Sequence, residues 1–238
     1  MSGHSKWATT KHAKAAKDAA RSANFTKLAR EITMAAKLGD PSPDNNARLR
    51  LAILNARKSS MPNDNIKRAI DKSQGANAET FDNPRYEGYG PGGVPIIVEA
   101  MTDNLRRTAP EIKSIFAKNG GNLGEMGSVV FMFRQVGAIY YPLSAAANAD
   151  AMTEIIMEAD ADDLSVEDDG YIVYTKPESF PAVQKALESK LGEPDEAGLE
   201  WLPNNPVEVD DETGAKLEKL VDALDDNDDV QKVFTAAA

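Results

Sequence analysis

Residues 164–175 read LSVEDDGYIVYT, and the fold follows from this stretch. Two short runs rich in β-branched and aromatic residues, 164–166 and 171–175, flank Asp169-Gly170. That dipeptide favours a tight hairpin turn, because both residues tolerate positive φ. On the N-terminal side, residues 145–158 carry Met152, Ile155 and Ile156 at helical spacing, and AIYY at 138–141 reads as a strand. On the C-terminal side, residues 180–191 read as a helix. Residues 199–202 and 207–209 read as extended, interrupted by PNNP. From 138 to 209 the order is strand, helix, strand, strand, helix, strand.

That order predicts a ferredoxin-like α/β unit. Its flanks supply more elements: a strand at 94–102, a helix at 105–118 with Ile112, Ile115 and Phe116 inside, and a strand over VVFMF at 129–133. Pro110 must lie in the first turns of that helix or shorten it. Beyond the unit come a helix at 217–224 and a last strand at 230–235. One α/β unit inserted into a related one accounts for this order.

Ahead of both, residues 22–75 read as three helices. Phe25, Leu28, Ala29, Ile32 and Ala36 form the first apolar stripe, Leu49, Ala52, Ile53 and Ala56 the second, and Ile66, Ala69 and Ile70 the third. DPSPDN (40–45) is a turn, Pro62 suits a first helical position, and Gly75 suits a stop. The expected class is α+β. The expected domains are 1–78 (basic arm and helices), 79–134 with 210–238 (discontinuous α/β), and 135–209 (inserted, acidic).

The net charge of −11 conceals a strong segregation. Residues 1–75 hold 15 Lys/Arg against 6 Asp/Glu, and residues 135–238 hold 6 against 25. An end so basic beside a body so acidic points to a polyanion bound at the N-terminal end, with the body repelled from it. A bland alternative is an acidic body that happens to carry a basic bundle. The absence of cysteine excludes disulfides, thiolate metal sites and a cysteine nucleophile, and two histidines exclude a multi-histidine centre. No run approaches 18 apolar residues, and MSGHSKWATTKHAK lacks the apolar segment of a secretory signal, so the expected location is cytoplasmic.

Residues 5–21, SKWATTKHAKAAKDAAR, place Lys11, Lys14, Lys17 and Arg21 within about a third of a helix circumference. The opposite face is mostly alanine, which favours a helix but gives it little to dock with. Such an arm suits ordering on a phosphate backbone. Lys6, Lys11, Lys14, Lys17 and Arg21 are its expected phosphate contacts, and His12 is a hydrogen-bond donor candidate. Trp7 could stack on a base, but a lone aromatic reads better as an anchor to the body. Lys27, Arg30, Arg48, Arg50, Lys67 and Arg68 are candidate contacts from the helical body.

GYGPGG at 88–93 lacks the lysine and hydroxyl residue of a phosphate loop and precedes a strand, so it reads as a turn. The acidic clusters at 160–169 and 225–229 lack the alternating spacing of a calcium loop and read as solvated turns. Glu99, Asp103 and Glu111 have no evident partner for acid–base work, and both histidines lie in the arm. We therefore expect no catalytic residue, metal, cofactor or small-molecule substrate, and no membrane partner.

GHSKW (3–7), KHAKAA (11–16), FTKL (25–28), RLRLAI (48–53), MPNDNIKRAI (61–70), YEGYGPGG (86–93), TDNLRRT (102–108) and GGNLGEMGSVVFMF (120–133) together resemble the YebC/PmpR family. The resemblance implies one helical and two α/β domains, one inserted in the other, without catalysis. It implies a DNA-binding transcriptional regulator. For some members, and for the related mitochondrial translational activator of cytochrome oxidase subunit one, it implies instead action on the ribosome, including stalls at proline-rich stretches. Lys6, Lys11, His12, Lys14, Lys17, Arg21, Lys27, Arg48, Arg50 and Arg68 match the family pattern. Ala13, Ala20 and Asn63 stand where relatives often carry a basic residue, which lowers the expected affinity. Asn63, Asn65 and Arg68 are candidate base readers, although Asn63 and Asn65 equally suit a helix start. The expected partner is DNA or ribosomal RNA, bound through residues 1–75.

Overall fold

The computed structural model describes residues 19–74, 78 and 80–238, and for 19–24 the backbone alone. The N-terminal part is helical: α1 (Ala19–Leu38), α2 (Ala47–Lys58) and α3 (Asn63–Lys72). Ile32, Leu49, Ile53, Ile66 and Ala69 form their shared core, with Phe25, Leu28 and Ile70 at its edge. Buried Asn46 joins two helices. Its side chain caps α2 by accepting from the Leu49 N–H, and its amide donates to the carbonyls of Ala35 and Asp40. Pro62 sits at the cap position of α3, one residue ahead of the first helical position expected for it. Gly75 lies outside the described residues.

The first sheet contains β1 (Arg85–Tyr89), β2 (Pro95–Ala100), β3 (Asn122–Leu123) and β8 (Val230–Thr235), in the order β3-β1-β2-β8. Helices α4 (Leu105–Lys118) and α7 (Asp211–Asp225) cover one face, burying Ile96, Ile112, Phe116, Leu217 and Leu220. Strand β1 lies ahead of residue 94, where the sequence signals no strand. Its alternation is obscured because a buried carboxylate, Glu87, and a glycine, Gly88, occupy its middle. Gly88 is required there, since a Cβ would lie 2.7 Å from the Asn122 carbonyl and 2.9 Å from the Phe116 ring. GYGPGG is indeed a turn, with Gly92 and Gly93 at φ of +72° and +73°. Because the unit opens on the β1–β2 hairpin, it shares the element inventory of a ferredoxin-like unit but not its strand order.

The second sheet lies between β3 and α7 in the chain. It comprises β4 (Phe133–Pro142), β5 (Asp163–Val166), β6 (Gly170–Thr175) and β7 (Glu196–Pro203), in the order β5-β6-β4-β7. With α5 (Ala149–Glu158) and α6 (Phe180–Leu191) it completes the expected βαββαβ unit. The expected strand over 129–133 is corrected. Residues Val130–Met132 form a single 3-10 turn, and one long strand, β4, takes in the expected piece at 138–141 but only Phe133 of the first. The turn forms because Glu87 Oε2 accepts the N–H groups of Val129 and Val130, both at 2.9 Å. The expected extended piece at 207–209 reduces to one bridge, Val207 to Ala237.

Between the sheets, Trp201 Nε1 donates to Glu99 at 2.8 Å and the Arg85 guanidinium stacks over the Trp201 ring. Pro110 lies within α4, at the sixth residue, with an exposed side chain.

Candidate nucleic-acid interface

The helical part touches both α/β units. Arg30, on the second half of α1, is the main link. Its Nη1 donates to the carbonyls of Met101 at 3.0 Å and Asp228 at 2.7 Å, and to Asp229 Oδ1 at 2.8 Å. Its guanidinium also lies 5.6 Å from the Phe81 ring centroid. Lys27 donates to the Asp225 carbonyl, and Lys37 to the Thr80 hydroxyl at 2.7 Å. At the far end of the bundle, Lys58 donates to the Pro194 carbonyl and stands 3.5 Å from Asp195, while Leu51 packs on the core of the second sheet.

Asp229 is the centre of the first contact. Its side chain is 4% exposed. It takes Arg30, Arg107 Nη2 at 2.8 Å and the Thr108 hydroxyl at 2.6 Å, with Thr102 at 3.2 Å. Burial alone would raise its pKa, but the hydrogen bonds from Thr108, Arg107 and Arg30 outweigh that and hold it below the ordinary carboxylate value. Arg107 is correspondingly raised, first by its hydrogen bond to Asp229. Part of DDNDD thus holds the protein together rather than facing solvent.

The candidate contact residues fall into four groups. Lys6, Trp7, Lys11, His12, Lys14 and Lys17 lie outside the described residues, as does the side chain of Arg21. Lys27 and Arg30 face the α7–β8 turn, and the Arg30 charge is already met by Asp229, so the expected phosphate contact at Arg30 gives way to an internal one. Arg48 forms a forked pair with Glu31 at 2.9 and 3.3 Å, and Arg50 donates to the carbonyls of Pro43 and Asp44. Lys67 is exposed and makes no hydrogen bond or ion pair with the described residues, while Arg68 donates to the Asp64 carbonyl and to Asn65 Oδ1.

Arg30 and Arg68 share an open groove of about 740 Å³ between α1, α3 and the segment entering β1. Lys72, Phe25, Phe81 and Thr80 also line it. Sequence reasoning missed this set. Phe81 sits in a stretch without periodicity, and only the docking of α1 on the sheet brings it to α3.

The acidic residues sort differently. Glu167, Asp169, Asp195 and Glu196 rim a shallow cleft of about 250 Å³ with Tyr140 and Tyr171. Asp162 accepts the Lys176 N–H, and Glu167 accepts the Ser165 hydroxyl. Among the described residues no group of three or more His, Asp or Glu is disposed to hold a metal ion. Glu99, Asp103 and Glu111 bond to Trp201, Arg107 and Asn227 respectively, and do not form one site. Among the described residues no helix is long and apolar enough to cross a membrane.

The class defined here is an α+β protein: a basic helical bundle clamped onto two antiparallel α/β units, one inserted in the other. Residues 5–76 match the N-terminal domain of TACO1/YebC proteins, and residues 81–237 match the second and third domains of the same family. The chain belongs to the TACO1/YebC family. It is also similar to the crystal structure of a conserved hypothetical protein, Aq1575, from Aquifex aeolicus. The two share 40% identity over 94% of this chain and 93% of that one, with a TM-score of 0.86. This is a regulator-type family associated with nucleic acid, and not a known enzyme family.

Proposed function

We propose that this protein is a non-enzymatic regulator of gene expression that grips folded RNA, with the ribosome as the natural setting, through residues 1–75. The observation that carries this reading is the charge segregation: 15 basic against 6 acidic residues in 1–75, and 6 against 25 in 135–238. A phosphate backbone is attracted by the first and repelled by the second, which orients the complex. RNA is favoured over duplex DNA by the setting of α3. Its candidate base readers, Asn65 and Arg68, are bonded to each other and line a recess, where a splayed-out base fits better than a groove edge.

A DNA-binding transcriptional regulator is the second reading. The four residues 59–62 between α2 and α3 favour it, since a turn of that length joins the helices of many duplex readers.

The test is binding of full-length protein to a structured RNA and to duplex DNA over a salt series. Changing Lys11, Lys14 and Lys17 together to alanine is expected to weaken binding evenly across sequences. The log–log salt slope should flatten by about three units on a duplex and about two on single strands. An unchanged slope overturns the role of the arm. Tighter, sequence-selective binding to duplex DNA overturns the RNA reading in favour of the second one.

A further inference from the structure

Resting on the reading that this chain grips RNA, we infer that the groove between α1, α3 and the β1 approach holds one unpaired nucleotide of that RNA, its base against Phe25 and its phosphate at Arg68. The cavity, about 740 Å³, is within the range that takes small ligands. Its floor is apolar: Ala29, Met61 and Ala69 lie under Phe25, which is only partly buried against the helical core. An apolar, aromatic floor suits a base face, which every nucleotide offers.

The charges in and behind the groove sort into two sets. Arg30 and Arg107 are met by Asp229 and Asp103, so these four groups largely offset one another. Arg68 is different. Among the described residues it bonds to neutral oxygens, those of the Asp64 carbonyl and the Asn65 side chain, and to no carboxylate. An anion is the complement of this edge, and a phosphate beside an apolar floor is the chemistry of a nucleotide. With its Oδ1 taken by Arg68, Asn65 keeps its amide N–H groups for an acceptor on a base edge. The base must first leave its stack to enter a recess, so loops and single strands can fill this groove and a closed duplex cannot.

The test is fluorescence anisotropy with the full chain and three probes: a single-stranded oligouridylate, the same strand lacking its bases, and a blunt RNA duplex. Asn65→Asp and Arg68→Gln are exposed or half-exposed changes that remove no core contact. Each is expected to weaken the single strand roughly tenfold and the duplex less than about twofold. Phe25→Leu, which keeps apolar volume but removes the ring, should lose the preference for the strand with bases over the strand without. A melting curve matching the wild type certifies the fold of each variant. The inference is overturned if the base-free strand binds wild type as well as the intact one. Equal losses on strand and duplex overturn it too, because Arg68 is then a general backbone contact. An oligothymidylate bound as tightly as the oligouridylate would overturn the assignment to RNA. Failure of wild type on every probe, the duplex included, would instead be failure of the RNA reading itself.

Discussion

Replacing Asp229 tests the clamp that holds the helical bundle to the first sheet. Asp229→Ala removes the acceptor for Arg30, Arg107 and Thr108 in one step. Stripping one partner from a fully buried ion pair costs about 3–5 kcal/mol, because the other charge stays desolvated. Here Arg30 is 16% exposed, close to that limit, whereas Arg107 is 42% exposed and regains water. The expected loss is therefore about 2–4 kcal/mol. Urea unfolding of wild type, D229A, R30A and the double variant forms a cycle that isolates the pair. The coupling energy between Arg30 and Asp229 should be about 1–3 kcal/mol. Acid adds a second check. Asp229 is held below its ordinary value of 3.8, so the unfolded chain binds its proton more readily. Its contribution is complete above that value and is lost as pH falls through the lower folded pKa. The advantage of wild type over Asp229→Asn should accordingly shrink below about pH 4. A coupling below about 0.3 kcal/mol, within the error of additivity, would refute the clamp.

Glu87→Gln should cost about 1–3 kcal/mol, since it weakens the acceptor for the Val129 and Val130 N–H groups, and amide exchange should speed up at 124–131 first. Uniform acceleration over the whole chain would contradict that local role. Gly137→Ala places a Cβ 2.4 Å from the Phe180 ring, so α6 must shift, and the cost should be about 1–3 kcal/mol in thermal unfolding. A neutral result would mean that α6 is free to move away from β4. Burial pushes the phenols of Tyr140, Tyr141 and Tyr174 well up. Absorbance titration to about pH 11 should leave those three of the six tyrosines protonated while the fold persists. Reversible ionisation of all six at that pH would show the sheet to be open to water.

Much was legible in the sequence. Asp169-Gly170 announced its hairpin because turn chemistry is local, and the helices at 25–36, 49–56 and 66–70 carried their apolar stripes. Charge segregation is also local, so the basic end could be read without a fold. Strand β1 was not legible. Its centre is Glu87-Gly88, a carboxylate buried to hold a loop from 42 residues onward and a glycine kept bare for Phe116. The boundary of β4 failed for the same reason, since the Val130–Met132 turn exists only because Glu87 binds its amides.

The sequence by itself therefore determined the α+β class, the inserted βαββαβ unit and the basic end, because periodicity, turn dipeptides and charge are properties of neighbouring residues. Tertiary structure alone decided which basic residues face outward. Arg30 and Arg68 look equivalent in the sequence, yet docking of α1 on the α7–β8 turn closes one around Asp229 and leaves the other at the rim of a groove. The difference arises from contacts almost two hundred residues apart, between Arg30 and Asp229, that no local pattern encodes.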